Sequence, residues 1–152
     1  MRVSAKVDYA VRAAVELATA EPGTLIKAEA ISRSQEIPRK FLDNILQGLR
    51  QSGLIESRRG PEGGHRLAKP ASEITLADVI RAIDGPLANV GGMSPDSLEP
   101  QGSAAPLREV WVAVRAALRE VLEVVTLADV ANDTLPAHVG ELTKLPGAWE
   151  RR

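Results

Sequence analysis

The chain has 152 residues, 44% hydrophobic and 26% charged, with a net charge of −1. That is enough for one domain with a core, or a small domain plus an oligomerisation element, and the composition excludes a disordered chain. Zero cysteines exclude disulfides, thiol catalysis and cysteine-ligated metal or iron–sulfur centres. No apolar stretch is long enough to cross a bilayer, and Met1-Arg2-Val3-Ser4 does not lead into a signal-like segment. A cytoplasmic protein with no membrane partner is therefore expected. The charge is unevenly spread. Residues 1–69 hold 12 Lys or Arg against 8 Asp or Glu, and residues 70–152 hold 7 against 12. A basic half (+4) joined to an acidic half (−5) is expected where only the first half meets phosphate.

In chain order, residues 4–20 read as a first helix with Val7, Val11, Ala14, Val15 and Ala18 as its apolar stripe. Asp8, Arg12 and Glu16 lie four apart on another face and read as ion pairs on a solvated surface. Glu21-Pro22-Gly23 ends this helix, and a shorter one follows from about Lys27 to Ser34, burying Ala28, Ala30 and Ile31. A tight connection, Ser34 to Ile37, leads into a helix opened by Pro38 and stopped by Gly53. On it Phe41, Leu42, Ile45, Leu46 and Leu49 group on one side, and Lys40, Asp43, Asn44 and Gln47 on the other. Short helix, tight turn and polar-faced helix have the spacing of a helix-turn-helix. Leu54 to Lys69 then reads as two short strands around Arg59-Gly60-Pro61-Glu62-Gly63-Gly64.

Past the hairpin, Pro70 to Ile74 reads as a linker and Thr75 to Gly85 as a fourth helix capped by Thr75 with Asp78. Its buried face is Leu76, Val79, Ile80 and Ile83. Residues 85–106 carry four Gly and four Pro and read as a long loop. Pro106 opens the longest helix, to about Val125. Leu107, Trp111, Val114, Leu118, Val121 and Val125 form an unbroken seam spaced 4, 3, 4, 3, 4, with Val110, Ala117 and Val124 alongside. A helix apolar over so much of its girth needs a second partner, and the same helix of another copy supplies it, giving a two-fold homodimer. Thr126 to Ala131 reads as one more short helix and residues 132–152 as a poorly ordered tail, and the chain reads as free of internal repeats and low-complexity runs.

Two groups of residues carry chemistry. On the polar helix face, Asn44 can pair with adenine, Asp43 can accept from a cytosine amino group, and Lys40 can reach guanine or phosphate; Arg39 and Gln47 suit backbone contacts. At the hairpin, Arg58 and Arg59 precede a glycine turn able to approach another surface closely. Arginine at a narrow tip suits the minor groove, where negative potential concentrates. Arg66 and Lys69 can meet phosphates, and His65 has a packing or phosphate role. Polar side chains also solvate exposed helices, and Gly-Gly also makes ordinary hairpins. It is the helix face and the wing side by side, in the basic half, that point to double-stranded DNA. There is no phosphate-binding glycine loop, G-x-S-x-G motif or carboxylate pair fixed by spacing, so no catalytic residue and no metal site is assigned.

At these residues the chain resembles the Rrf-two family of bacterial winged helix-turn-helix transcription regulators. The matching stretches are Met1 to Val11, Phe41-Leu42 with Leu49-Arg50, Gly53-Leu54-Ile55, Arg59-Gly60-Pro61 with Gly63-Gly64, and Ile74-Thr75-Leu76 through Asp84-Gly85-Pro86. Trp111 and Thr126-Leu127-Ala128-Asp129 also look like the family, so the resemblance spans roughly residues 1–131. It implies dimeric, sequence-specific DNA binding, with Arg59 as the minor-groove wing residue beside Gly60, and Lys40, Asp43 and Asn44 on the base-reading face. Members with an iron–sulfur centre carry three cysteines in the loop that here spans Gly85 to Pro106, and this loop has none. Asp8 stands where some cluster-bearing relatives place a non-cysteine ligand, but one carboxylate cannot hold a cluster that needs thiolates.

The expectation is a mainly α protein. A winged helix-turn-helix domain of three helices and a β-hairpin, with its linking helix, spans residues 1–84. A cysteine-free loop spans 85–106, and a dimerisation helix with a short helix spans 107–131. The function expected is a homodimeric transcription repressor on an inverted-repeat operator, without a cofactor. Its signal is not legible: a small metabolite, a protein partner acting through the acidic half and a redox species sensed elsewhere are all open. The alternative is a winged-helix module that binds protein and not DNA.

Overall fold

The computed structural model describes residues 2–151. The helices are α1 (Ala5–Ala18), α2 (Ala28–Gln35), α3 (Arg39–Gln51), α4 (Leu76–Asp84), α5 (Leu107–Leu122), α6 (Leu127–Ala131) and α7 (Ala137–Thr143). One antiparallel hairpin, β1 (Ile55–Arg58) and β2 (Gly64–Leu67), lies between α3 and α4. The core forms around α1, whose buried residues are Val7, Ala10, Ala13, Ala14 and Leu17, three of the five alanine. Small side chains let α2, α3, α4 and α6 approach α1 closely, and the larger residues come from those neighbours and from the turn before α3: Ile31, Ile37, Leu42, Ile45, Leu49, Val79 and Leu127.

The helix-turn-helix angle is set between α2 and α3. Glu36 takes a left-handed conformation (φ 52°), costly for a non-glycine residue and held here by bonds on both sides. The Ile37 amide donates to the Ser32 carbonyl at 3.0 Å, and the Ser32 hydroxyl donates to the Ile37 carbonyl at 2.6 Å. From α1, Arg12 donates to the Gln35 carbonyl at 2.8 Å, and Glu16 accepts from Ser34 and Gln35 at 2.8 and 2.7 Å. The Asp8–Arg12 pair forms, at 3.1 Å. Arg12 and Glu16, however, are braces for the turn and not merely a solvated charge series.

Three further expectations are corrected. Phe41 is 55% exposed; the buried stripe of α3 is Leu42, Ile45, Leu46 and Leu49. Phe41 stands about 100° around the helix from Leu42, off the core side, and its ring meets Tyr9 with centroids 6.3 Å apart. The chain also holds a short repeat that the sequence reading passes over. Thr75-Leu-Ala-Asp-Val and Thr126-Leu-Ala-Asp-Val each open a helix with a full capping box. The two segments pair antiparallel at Thr75 and Thr126. The Leu76 amide donates to the Val125 carbonyl at 3.0 Å, and the Leu127 amide to the Ile74 carbonyl at 2.9 Å. Finally, α5 stops at Leu122, so Val125 lies in this pairing and is only 2% exposed. It belongs to the subunit core and leaves the proposed dimer seam. Within residues 132–151, expected to be poorly ordered, the structure has α7, where His138 Nε2 lies 3.0 Å from the Glu120 carbonyl oxygen.

Candidate nucleic-acid interface

Burial of Leu42, Ile45, Leu46 and Leu49 fixes the roll of α3 and turns Arg39, Lys40, Asp43, Asn44 and Gln47 outward, all exposed. No hydrogen bond or ion pair within the described residues engages the side chains of Lys40, Asn44 or Gln47. Arg39 and Asp43 differ. Arg39 bridges Glu29 of α2 at 2.6 Å and Asp43, one turn on, at 2.8 Å. The Arg39 hydrogen bond holds the Glu29 carboxyl below its ordinary value. The pairs are exposed and individually weak, but they fix the direction of the Asp43 carboxylate.

The hairpin register pairs Ile55 with Leu67, Glu56 with Arg66, Ser57 with His65 and Arg58 with Gly64. The tip needs glycine at Gly63, where a Cβ would lie 2.1 Å from the Arg58 carbonyl oxygen. At Gly64 a Cβ would meet the Ile26 backbone at 2.7 Å. That approach is used: Ile26 and His65 exchange two backbone hydrogen bonds, both 2.8 Å. The wing is thereby fastened to the strand-like segment before α2. The His65 ring is half-buried, with Nδ1 2.7 Å from the Ser57 hydroxyl oxygen. Burial pushes its pKa down, and the positive charges of Arg39 and Arg50 push the same way.

An open groove of about 490 Å³ lies where the start of α2, the start of α3 and the wing meet. The structure brings Arg39, Arg58, Gly60 and His65 together around it, with Lys27 and Glu29. Arg59 is exposed at the wing turn, and neither Arg58 nor Arg59 has an ion-pair partner among the described residues. Arg66 is not in this group. It pairs with Glu56 at 2.8 Å and faces a separate cavity with Gly23 and Leu25. Sequence reasoning missed Lys27, which no spacing links to the wing, and Arg50, exposed on α3 and within electrostatic range of His65. Only the Ile26–His65 pairing makes the position of Lys27 visible.

Three packed helices, the braced turn and a hairpin seated beside the second helix of the pair define a winged helix-turn-helix protein. The family model described as "Iron-dependent Transcriptional regulator", that of the Rrf2 (Rrf-two) family, matches residues 3–133. A putative HTH-type transcriptional regulator of Mycobacterium tuberculosis is 51% identical over 142 residues, covering 93% of this chain and 88% of the relative. The HTH-type transcriptional regulator CymR of Bacillus subtilis is 32% identical over 134 residues, covering 88% and 92%. The solved structure of CymR, the global cysteine regulator of B. subtilis, superposes with a TM-score of 0.74 at 31% identity, covering 88% of this chain and 98% of that one. The structure of T. potens IscR does so with 0.71 at 31%, covering 90% of both. The chain belongs to the Rrf2 family of transcriptional regulators.

The family's iron is tested by the donors present. An iron–sulfur cluster is held by thiolates, and the chain has no cysteine. Between Gly85 and Pro106 the only carboxylates are Asp96 and Glu99, and there is no histidine. Asp96 accepts hydrogen bonds from Ser94 and Arg115. These residues do not fit such a cluster.

Proposed function

We propose that the protein is a homodimeric transcription repressor that binds an inverted-repeat operator and works without an iron–sulfur cluster. The observation that supports this best is the juxtaposition of the outward face of α3 with the unpaired wing arginines, both in the basic half of the chain. In this reading α3 lies in the major groove, where Asn44 and Lys40 meet base edges and Asp43, aimed by Arg39, accepts from a cytosine amino group. Arg58, Arg59 and Gly60 follow into the adjacent minor groove. Gln47, Arg39 and Lys27 hold phosphates, His65 supports the wing from beneath, and Arg66 reaches phosphate only by leaving Glu56.

Residues 1–84 form the DNA-binding unit and residues 107–131 the dimerisation unit. The α5 seam joins two copies through Leu107, Trp111, Val114, Leu118 and Val121. The setting is the cytoplasm, and the effector is a small molecule or a protein. Recovery of bound genomic fragments gives the operator, and anisotropy titrations on it give the salt dependence. Binding that neutralises phosphates falls linearly on a log–log plot against salt, with a slope of about −0.9 per phosphate. Salt-insensitive association, or recovery of no preferred fragment, would instead favour a winged helix that docks on protein.

A further inference from the structure

The 85–106 loop does not hang free. Val90 and Met93 exchange backbone hydrogen bonds at 3.0 and 3.1 Å, and Pro95, opening a 3₁₀ turn, is buried. Arg115 of α5 reaches into the loop, donating to the Ser94 hydroxyl at 3.0 Å and to the Asp96 carboxylate. Ser94 and Arg115 together hold the Asp96 carboxyl down to about 2. One helical turn on, Arg119 lies 3.6 Å from Glu123, and Arg81 of α4 pairs with the same carboxylate. Between these groups is a cavity of about 90 Å³ lined by Arg81, Arg115, Arg119, Ser94 and the loop residues Leu87 and Ala88. No carboxylate lines it among the described residues; Asp96 and Glu123 meet the guanidiniums from outside.

Three guanidiniums around one small space repel one another, and two flanking carboxylates leave an excess positive charge. Each guanidinium has five N–H donors in a rigid fork, and those used on Asp96, Ser94 and Glu123 leave others free. The volume is far below the roughly 300–1,000 Å³ of pockets for drug-sized ligands, so the occupant is small. Guanidinium donors arrive from α4 and from two successive turns of α5, while the Ser94 hydroxyl of the loop is already given to Asp96. A planar carboxylate satisfies one fork at a time, whereas a tetrahedral oxyanion offers acceptors to all three.

We propose that the cavity between Arg81, Arg115, Arg119 and Ser94 is a binding site for a small tetrahedral oxyanion of the sulfate or phosphate class. The site joins α4, which packs on α1, to α5 and the loop, so its occupant bridges the two halves of the chain. Binding there is independent of the DNA reading, because none of these residues lies on α3 or the wing.

The test is calorimetric titration of the full-length, DNA-free protein with sodium sulfate, sodium phosphate and sodium acetate in chloride buffers of constant ionic strength. Melting temperature is followed in parallel. Sulfate or phosphate should bind saturably at one site per subunit and raise the melting temperature, and acetate should not; the order of the two identifies the anion preferred. Arg119→Gln should weaken binding about tenfold, the effect of losing one charge-assisted bond. Glu123→Gln, which frees Arg81 and Arg119, should strengthen it, an opposite sign that a folding defect does not produce. Arg59→Ala should leave it unchanged. Absence of saturable binding, equal binding of acetate, indifference to both Arg119→Gln and Glu123→Gln, or loss through Arg59→Ala would each overturn the proposal.

Discussion

Asn44 on α3 and Arg59 at the wing turn are both exposed, but the chemistry open to each differs. An amide in the major groove makes a bidentate pair with adenine and discriminates against other bases by about 1–3 kcal/mol. An arginine in the minor groove reads width and potential, favouring A·T-rich steps. Asn44→Ala should therefore lose preference at one symmetric pair of operator positions, and Arg59→Ala at flanking A·T steps. Arg66→Ala, with its charge already matched by Glu56, should alter no base preference. Binding to a library of single-base operator variants checks this, and a uniform loss from Asn44→Ala and Arg59→Ala would reverse the assignment. His65 carries a separate expectation. Its folded-state pKa is depressed below the ordinary 6.5 by burial, with Arg39 and Arg50 adding to the effect and Asp43 and Glu29 opposing it. The unfolded chain thus takes up a proton at higher pH than the folded one. Stability from this group is complete above about pH 6.5 and is lost as the pH falls toward the lower, folded-state pKa. The wild-type melting temperature should drop more steeply than that of His65→Gln between about pH 7.5 and 5.5; parallel profiles would show that the ring does not titrate in this window.

Among the elements, the paired Thr-Leu-Ala-Asp-Val segments bear most directly on the connection between the halves of the chain. Thr126 accepts from the Asp129 amide at 3.1 Å, and Asp129 accepts from the Thr126 amide at 2.8 Å. Loss of a threonine cap costs about 0.5–2 kcal/mol, so Thr126→Ala should lower unfolding stability in denaturant by that amount, while Thr126→Ser restores most of it. An unchanged midpoint in Thr126→Ala would mean that the Leu127 anchor alone holds α6. These elements also show what a sequence discloses. The four helices of residues 1–84 were legible because their apolar spacings repeat every turn, and the wing because two short strands flank a glycine turn. Phe41 misled because an apolar residue beside a buried stripe has the composition of the core without its direction. Val125 misled because heptad spacing continues past the point where the backbone leaves the helix. For Arg12 and Glu16, (i, i+4) spacing suggested local pairing, whereas their decisive partners, Gln35 and Ser34, come from another helix. The seating of the wing on Ile26 left no periodic trace, since one bridged residue makes no strand pattern. On the candidate interface, the outward face of α3 was readable residue by residue, but the Glu29–Arg39–Asp43 link needed the packing of α2 against α3.

At the scale of the whole molecule, the unresolved physical demand is α5. Its 16 residues include none that is buried, although Leu107, Trp111, Val114, Leu118 and Val121 share one side, and Leu107 and Val110 are about half exposed. Such a helix leaves apolar area in water at roughly 25 cal/mol per Å²; within the subunit it meets the loop and α4, with Trp111 and Val114 lining a cavity beside Leu87 and Val90. A second copy of α5 packed antiparallel or parallel along the seam removes that area, with Val125 excluded because it is consumed within the subunit. Leu118 sits at the middle of the seam. Leu118→Glu should place a charge where the seam closes and convert a micromolar dimer to a monomer, measured by sedimentation. Circular dichroism should stay close to wild type, since Leu118 is outside the core cluster around α1. A monomer engages one half-site where the dimer engages two, and losing that linkage typically costs on the order of 10²–10⁴ in apparent affinity. Operator binding by Leu118→Glu should fall by that order while binding to an isolated half-site stays near the wild-type level. A wild-type chain that sediments as a monomer at micromolar concentration would remove α5 as the dimer seam. A dimeric Leu118→Glu would move the interface elsewhere on the molecule.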